Sequence, residues 1–150
     1  MIHLGKVLTL VSFALVGSVN TTIAAEAQCD GSMCAIPVIQ GAKCALSAYT
    51  NAADTWSMSA SMSSDGSSPF NTQSGSGEDN TPMKWTSGNA VFEAEGEYVY
   101  ITFTAQNGGE SLDIHTGSGF ADGTSSAIMN GEDGADEDFN DVIANVTCIN

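Results

Sequence analysis

The chain has 150 residues and carries 18 acidic side chains against three basic ones, for a net charge of -15. Such a surface repels nucleic acid and anionic membrane and attracts divalent cations. The length suits one small domain.

The first elements are those of an exported protein. Lys6 precedes residues 7–19, which are apolar apart from Thr9, Ser12, Gly17 and Ser18, and small and polar residues follow through Ala27. That order predicts a secretory signal peptide over residues 1–27. Its apolar core is too short to span a bilayer, and no later apolar run is long enough. Cleavage fits after Ala25 or after Ala27, and Ala25-Glu26-Ala27 meets the small-x-small rule better. The expected product is one domain, residues 28–150, secreted or periplasmic, with no membrane span. Lys43 and Lys84 are then its firm cations, and all acidic side chains but Glu26 remain.

Cys29, Cys34, Cys44 and Cys148 all lie in that domain. An even count in an exported chain predicts disulfides. Three pairings are possible. The mechanical expectation is one short loop among the first three cysteines and one long bridge from Cys148 back to the N-terminal region. Residues 28–44 thus form a disulfide-linked N-terminal extension, with a short extended piece over 35–39 that Pro37 confines to an edge.

Residues 42–54 are predicted to hold a short helix. Trp56, Met58, Ala60 and Met62 alternate with serines, which predicts a half-buried strand. Residues 63–82, rich in Ser, Gly, Asp and Asn, read as a long loop that Phe70 pins to the core. The clearest β signal is residues 91–95, a turn at Gly96, and residues 97–105. There Val99, Ile101, Phe103 and Ala105 form the core face and Tyr98, Tyr100, Thr102 and Thr104 the other. Turns are expected at Asn107-Gly108-Gly109, Gly117-Ser118-Gly119 and Asp122-Gly123, with a short strand over 112–116 between the first two. Residues 142–149 are a final strand. Short strands between Gly-rich turns, with no long amphipathic helix, predict an all-β fold: an antiparallel, Greek-key-like β-sandwich.

The chemistry is concentrated in residues 130–141, Asn-Gly-Glu-Asp-Gly-Ala-Asp-Glu-Asp-Phe-Asn-Asp, where six carboxylates share one loop. Like charges so close repel unless a cation neutralises them. Ca2+ takes six to eight oxygen ligands and is the usual ion outside the cell. Asp136, Asp138 and Asn140 alternate around Glu137 and Phe139, which aims three oxygens one way and turns Phe139 inward as an anchor. Asp141 follows at the entry to the last strand, and Glu132 lies across Gly134. Two adjacent ions balance this charge better than one. The EF-hand pattern fails, since Asp141 and Thr147 stand where it needs Gly and Glu. The carboxylates cluster on one loop instead of flanking a cleft, and no serine has a G-x-S-x-G context, so an enzyme is not predicted. His115 reads as a surface or packed residue.

The segment from Glu132 to Asp141 resembles the loop of the small bacterial calcium-dependent lectins that bind fucose and mannose. Their pattern, Glu-Asp-Gly-x-Asp-x-Asp-aromatic-Asn-Asp, is met throughout. The resemblance implies an antiparallel sandwich with two Ca2+ ions that sugar hydroxyls coordinate directly. It implies that Glu132 and Asp136 hold the first ion, Asn140 the second, and that Asp138 and Asp141 bridge them. It further implies a partner subunit's C-terminal carboxylate as a ligand, here that of Asn150 where the family has Gly, and hence a homodimer or larger homo-oligomer. The family's early Asn ligand has Asn51 and Asn71 as candidates. The expected function is calcium-dependent binding of a fucose- or mannose-like carbohydrate. The alternative is a secreted structural or adhesive β domain in which calcium serves stability alone.

Overall fold

A computed structural model describes residues 26–51, 57–106, 113–132 and 138–150, with the side chains of 57–60 and 106 excepted. Residues 1–25 of the expected signal peptide, Trp56, the expected turn at 107–109, and Asp133, Asp136 and Glu137 lie outside the described residues.

The described chain is all β, in two antiparallel sheets packed as a sandwich. In chain order the strands are β1 (Gln28–Asp30), β2 (Met33–Pro37), β3 (Lys43–Thr50), β4 (Ser57–Ser63), β5 (Pro69–Gly75) and β6 (Thr81–Pro82). They continue with β7 (Lys84–Gly88), β8 (Val91–Glu93), β9 (Tyr98–Gln106), β10 (Asp113–Ala121), β11 (Thr124–Glu132) and β12 (Val142–Ile149). One sheet runs β1-β2-β9-β4-β5-β7. The other runs β10-β11-β12-β3-β6, with β8 also paired to β3. No helix among the described residues is long and apolar enough to cross a membrane.

Period-two burial builds the core. Val99, Ile101 and Phe103 turn inward from β9, as their alternation predicts, and meet Val142, Ala144 and Val146 from β12 in one cluster. Burying a side chain of this kind stabilises the fold by roughly 1.5–3 kcal/mol. Asp122 and Gly123 both have positive φ, 50° and 77°, in the two-residue turn that joins β10 to β11. That is the turn geometry whose twist suits a tight hairpin.

Both disulfides join residues directly opposite each other across a ladder. Cys29 pairs with Cys34 between β1 and β2, and Cys44 with Cys148 between β3 and β12. The expected short loop and long bridge are both present, and no described cysteine is free.

Three expectations need correction. Residues 43–50 are strand β3 and not a helix: Cys44, Leu46, Ala48 and Thr50 are buried in strict alternation, and β12 pairs with the whole length. The stretch 63–82 is not one loop, because it contains β5 and β6. Its inward residues, Asn71 and Gln73, are polar, so hydropathy does not reveal the strand. Gly117 to Gly119 is no turn but part of β10, paired with Ile128 to Ser126.

Gln73 explains its own burial. On its far side from β12, β3 is paired by β8 at residues 43–45 and by β6 at 49–50, which leaves a gap between them. The Gln73 amide crosses from the other sheet into that gap. Its Nε2 donates to the Leu46 carbonyl at 2.7 Å and its Oε1 accepts the Ala48 N–H at 3.2 Å. Buried backbone groups need partners of this kind.

Candidate functional site

The ends of β11, β12 and β3 converge at one edge of the second sheet. β11 ends in Glu132, β12 is preceded by Asp141, and β3 is followed by Asn51. The ladder sets Thr50 opposite Val142, so the residues just beyond them are neighbours by register. The Asn51 N–H donates to the Asp141 carbonyl at 3.0 Å, and its side-chain Nδ2 donates to Asn140 Oδ1 at 2.5 Å. Asn51 Oδ1 accepts the Asn80 N–H at 3.3 Å, which ties in the turn before β6.

Glu132 is buried, with 5% exposure, and its Oε2 accepts the Phe139 N–H at 3.0 Å. Asp138 is exposed, and its Oδ2 accepts from Asn140 Nδ2 at 2.5 Å. Gly131 lets the base of the loop close. A Cβ there would stand 2.5 Å from Val142 Cγ1 and 2.7 Å from Ile114 Cδ1. Phe139 is half-buried, but it does not enter the core as its anchor. Its ring lies flat on the exposed His115 ring, with centroids 3.8 Å apart and planes 11° apart.

Thus Glu132, Asp138, Asn140 and Asp141 are gathered at one edge, and Asp136 lies outside the described residues. Asn51 joins them. Asn71 does not: it is fully buried in β5, where its Nδ2 donates to the Asn89 carbonyl. Asn150 is carried away by the eight residues of β12 and donates its N–H to the Gly123 carbonyl at the other end of the sheet. At about 3.3 Å per residue, that is roughly 26 Å from its own loop. Lys43 is also at that far end, opposite Glu93 and Ile149. Among the described residues, no three His, Cys, Asp or Glu side chains come together as a metal cluster.

By chemical type, though not by their present spacing, these donors suit Ca2+. Glu132, Asp138 and Asp141 bring carboxylate oxygens, and Asn51 and Asn140 bring amide oxygens, which are hard ligands of the kind this ion takes. Asn140 Nδ2 faces Asp138 Oδ2, and Asn51 Nδ2 faces Asn140 Oδ1. Turning each terminal amide presents its oxygen instead.

A family profile described as fucose-binding lectin II (PA-IIL) matches residues 35–150, which takes in the end of β2, all of β3 to β12 and the whole loop. The chain belongs to that family. It is a carbohydrate-binding lectin of the PA-IIL class, a binding protein and not a catalyst. Solved bacterial lectins share its fold. The Chromobacterium violaceum lectin CV2L, solved with alpha-methyl-fucoside, has a TM-score of 0.63 at 18% identity over 79% of this chain and 96% of its own. The Ralstonia solanacearum high-affinity mannose-binding lectin gives 0.60 at 20% over 75% and 93%. The C-terminal domain of the BC2L-C lectin from Burkholderia cenocepacia gives 0.62 at 22% over 82% and 97%. No curated protein matches by sequence.

The acidic loop is local in sequence, so the residues gathered there could be named in advance. The partnership of Asn51 with Asn140 depends on β3 lying beside β12; the resemblance offered Asn51 beside Asn71 without choosing between them, and only the faint alternation of β3 could have decided it. His115 gave no signal at all, since no pattern in the sequence pairs it with Phe139.

Proposed function

We propose that this PA-IIL-family lectin is an exported protein that binds sugar through calcium. Glu132, Asp136, Asp138, Asn140 and Asp141 would hold two Ca2+ ions, with Asn51 as a further oxygen ligand from β3. The ions supply coordination positions that vicinal sugar hydroxyls can fill. The loop's own residues orient those ions: Glu132 holds the Phe139 N–H, and Asn51 ties Asn140 and Asp141 to the sheet. The observation that carries the reading is the meeting of Asn51 with Asn140 and Asp141 beside the buried Glu132. The fucoside and the mannose named for CV2L and the Ralstonia lectin make a fucose- or mannose-like ligand the first choice.

Asn150 would serve the loop of a second copy, since its own loop is a β12 length away. A dimer is supported by the outer face of β10, β11 and β12. There a shallow concavity of about 450 Å³ is lined by eight residues, none of them charged, in a chain of net charge -15. Ile128 within it is 50% exposed. Thr147, from the last strand, is among the lining residues. A two-fold axis through such a face would use one patch twice.

A glycan array run with calcium and again with chelator tests the proposal. Calcium-dependent signals on fucosylated or mannosylated glycans are expected. A protein that gains thermal stability from calcium while binding no glycan would instead be the structural domain in which calcium serves stability alone.

A further inference from the structure

We propose that His115, a residue outside the acidic motif, is the positioning residue that sets the loop for its ions. The inference rests on the calcium reading above. Phe139 stands between Asp138 and Asn140 with φ at 52°, in the left-handed region. An aromatic L-residue is rarely found there, because its Cβ crowds the backbone. Such a conformation persists where surrounding contacts fix it. Two contacts do so. One is the N–H bond to Glu132 Oε2, and the other is the flat stack on the His115 ring.

The turn at Phe139 has a consequence for the ligands. In an extended chain, Asp138 and Asn140 would project side by side along the strand. With Phe139 left-handed, they curl toward each other until Asn140 Nδ2 reaches Asp138 Oδ2 at 2.5 Å. The stack thus governs the mutual direction of two proposed ligands without touching an ion. His115 is itself well placed to be held. It faces Asn130 across the β10–β11 ladder. The Asn130 Oδ1 is buried and has no hydrogen-bond partner. Cross-strand neighbours lie close enough to interact, and an imidazole N–H is a donor. The register thus sets His115 opposite the root of the strand that ends in Glu132.

The test compares His115→Ala and His115→Phe with the native protein in two measurements. The first is Ca2+ affinity by calorimetric titration. The second is hydrogen exchange of the Phe139 amide in the calcium-free protein. An aromatic pair contributes enough that its loss should weaken calcium binding about three- to tenfold. Exchange at Phe139 should quicken by a similar factor. His115→Phe, which keeps a stacking ring, should stay within about twofold of native in both. His115 is exposed, so both variants should keep the native circular dichroism spectrum. Native values in both measurements for His115→Ala would overturn the inference. So would a His115→Phe variant that falls as far as His115→Ala. If the native protein binds no calcium, the calcium reading fails by itself, and the Phe139 exchange rates alone decide whether His115 sets the loop.

Discussion

Asn51 and Asn140 stand 89 residues apart in sequence, yet their side chains share a hydrogen bond at 2.5 Å. The bond joins the end of β3 to the loop residues that lead into β12, and so ties the acidic loop to a strand other than its own two. Replacing Asn51 by Ala should therefore weaken calcium binding by about tenfold, the scale of one lost polar interaction. Asn71→Ala should behave oppositely. It should lower the melting temperature, since a buried partner of Asn89 and Gln73 is lost, and leave calcium affinity within about twofold of native. Calorimetric titration and thermal denaturation of the two variants separate these outcomes.

The two disulfides differ in the length of chain they close, 5 residues against 104. In the chain-entropy account, the short bridge stabilises by about 2 kcal/mol and the long one by about 4.7 kcal/mol. Denaturant unfolding of the Cys29→Ala/Cys34→Ala and Cys44→Ala/Cys148→Ala variants should show the second pair as the more costly. Equal losses would mean that local packing, and not loop closure, sets the contribution.

Much of this fold was legible because its strands alternate. Val99, Ile101 and Phe103 in β9, and the apolar run of β12, announce themselves by period two. The exceptions share a physical cause. In β3 the inward residues include Ala48 and Thr50, so the apolar amplitude is low and the alanines suggest a helix. In β5 the inward residues are Asn71 and Gln73, which invert the usual pattern. In β10 the glycines that suggest a turn are edge-strand residues held by the β11 ladder. The acidic loop was readable because its oxygens are adjacent in sequence. Asn51 and His115 meet loop residues only through the tertiary fold, which composition does not encode.

Gln73 offers a check on the account of β3. Gln73→Leu keeps the volume but strands the Leu46 carbonyl and the Ala48 N–H in the interior. Each unpaired backbone group costs about 1–3 kcal/mol, so a loss of roughly 2–6 kcal/mol is expected in urea unfolding. A loss below about 1 kcal/mol would show that another partner replaces the amide.

The N-terminal boundary can also be stated. Ala27 is buried, packs in the core cluster, and donates its N–H to Ser118 Oγ at 2.7 Å. Cleavage after Ala27 would remove those contacts, whereas cleavage after Ala25 keeps them. If the chain is exported as proposed, its mature form should therefore begin at Glu26, and intact mass will distinguish this from a start at Gln28.

The central claim is that calcium at the Glu132–Asp141 loop carries the sugar. The most direct measurement is calorimetric titration of methyl α-fucoside and methyl α-mannoside into the protein, first with calcium and then after chelation, alongside Asp138→Ala. Saturable binding of at least one sugar is predicted with calcium, with its loss on chelation and in Asp138→Ala, while circular dichroism stays native. Sugar binding that survives both chelation and Asp138→Ala would contradict the claim.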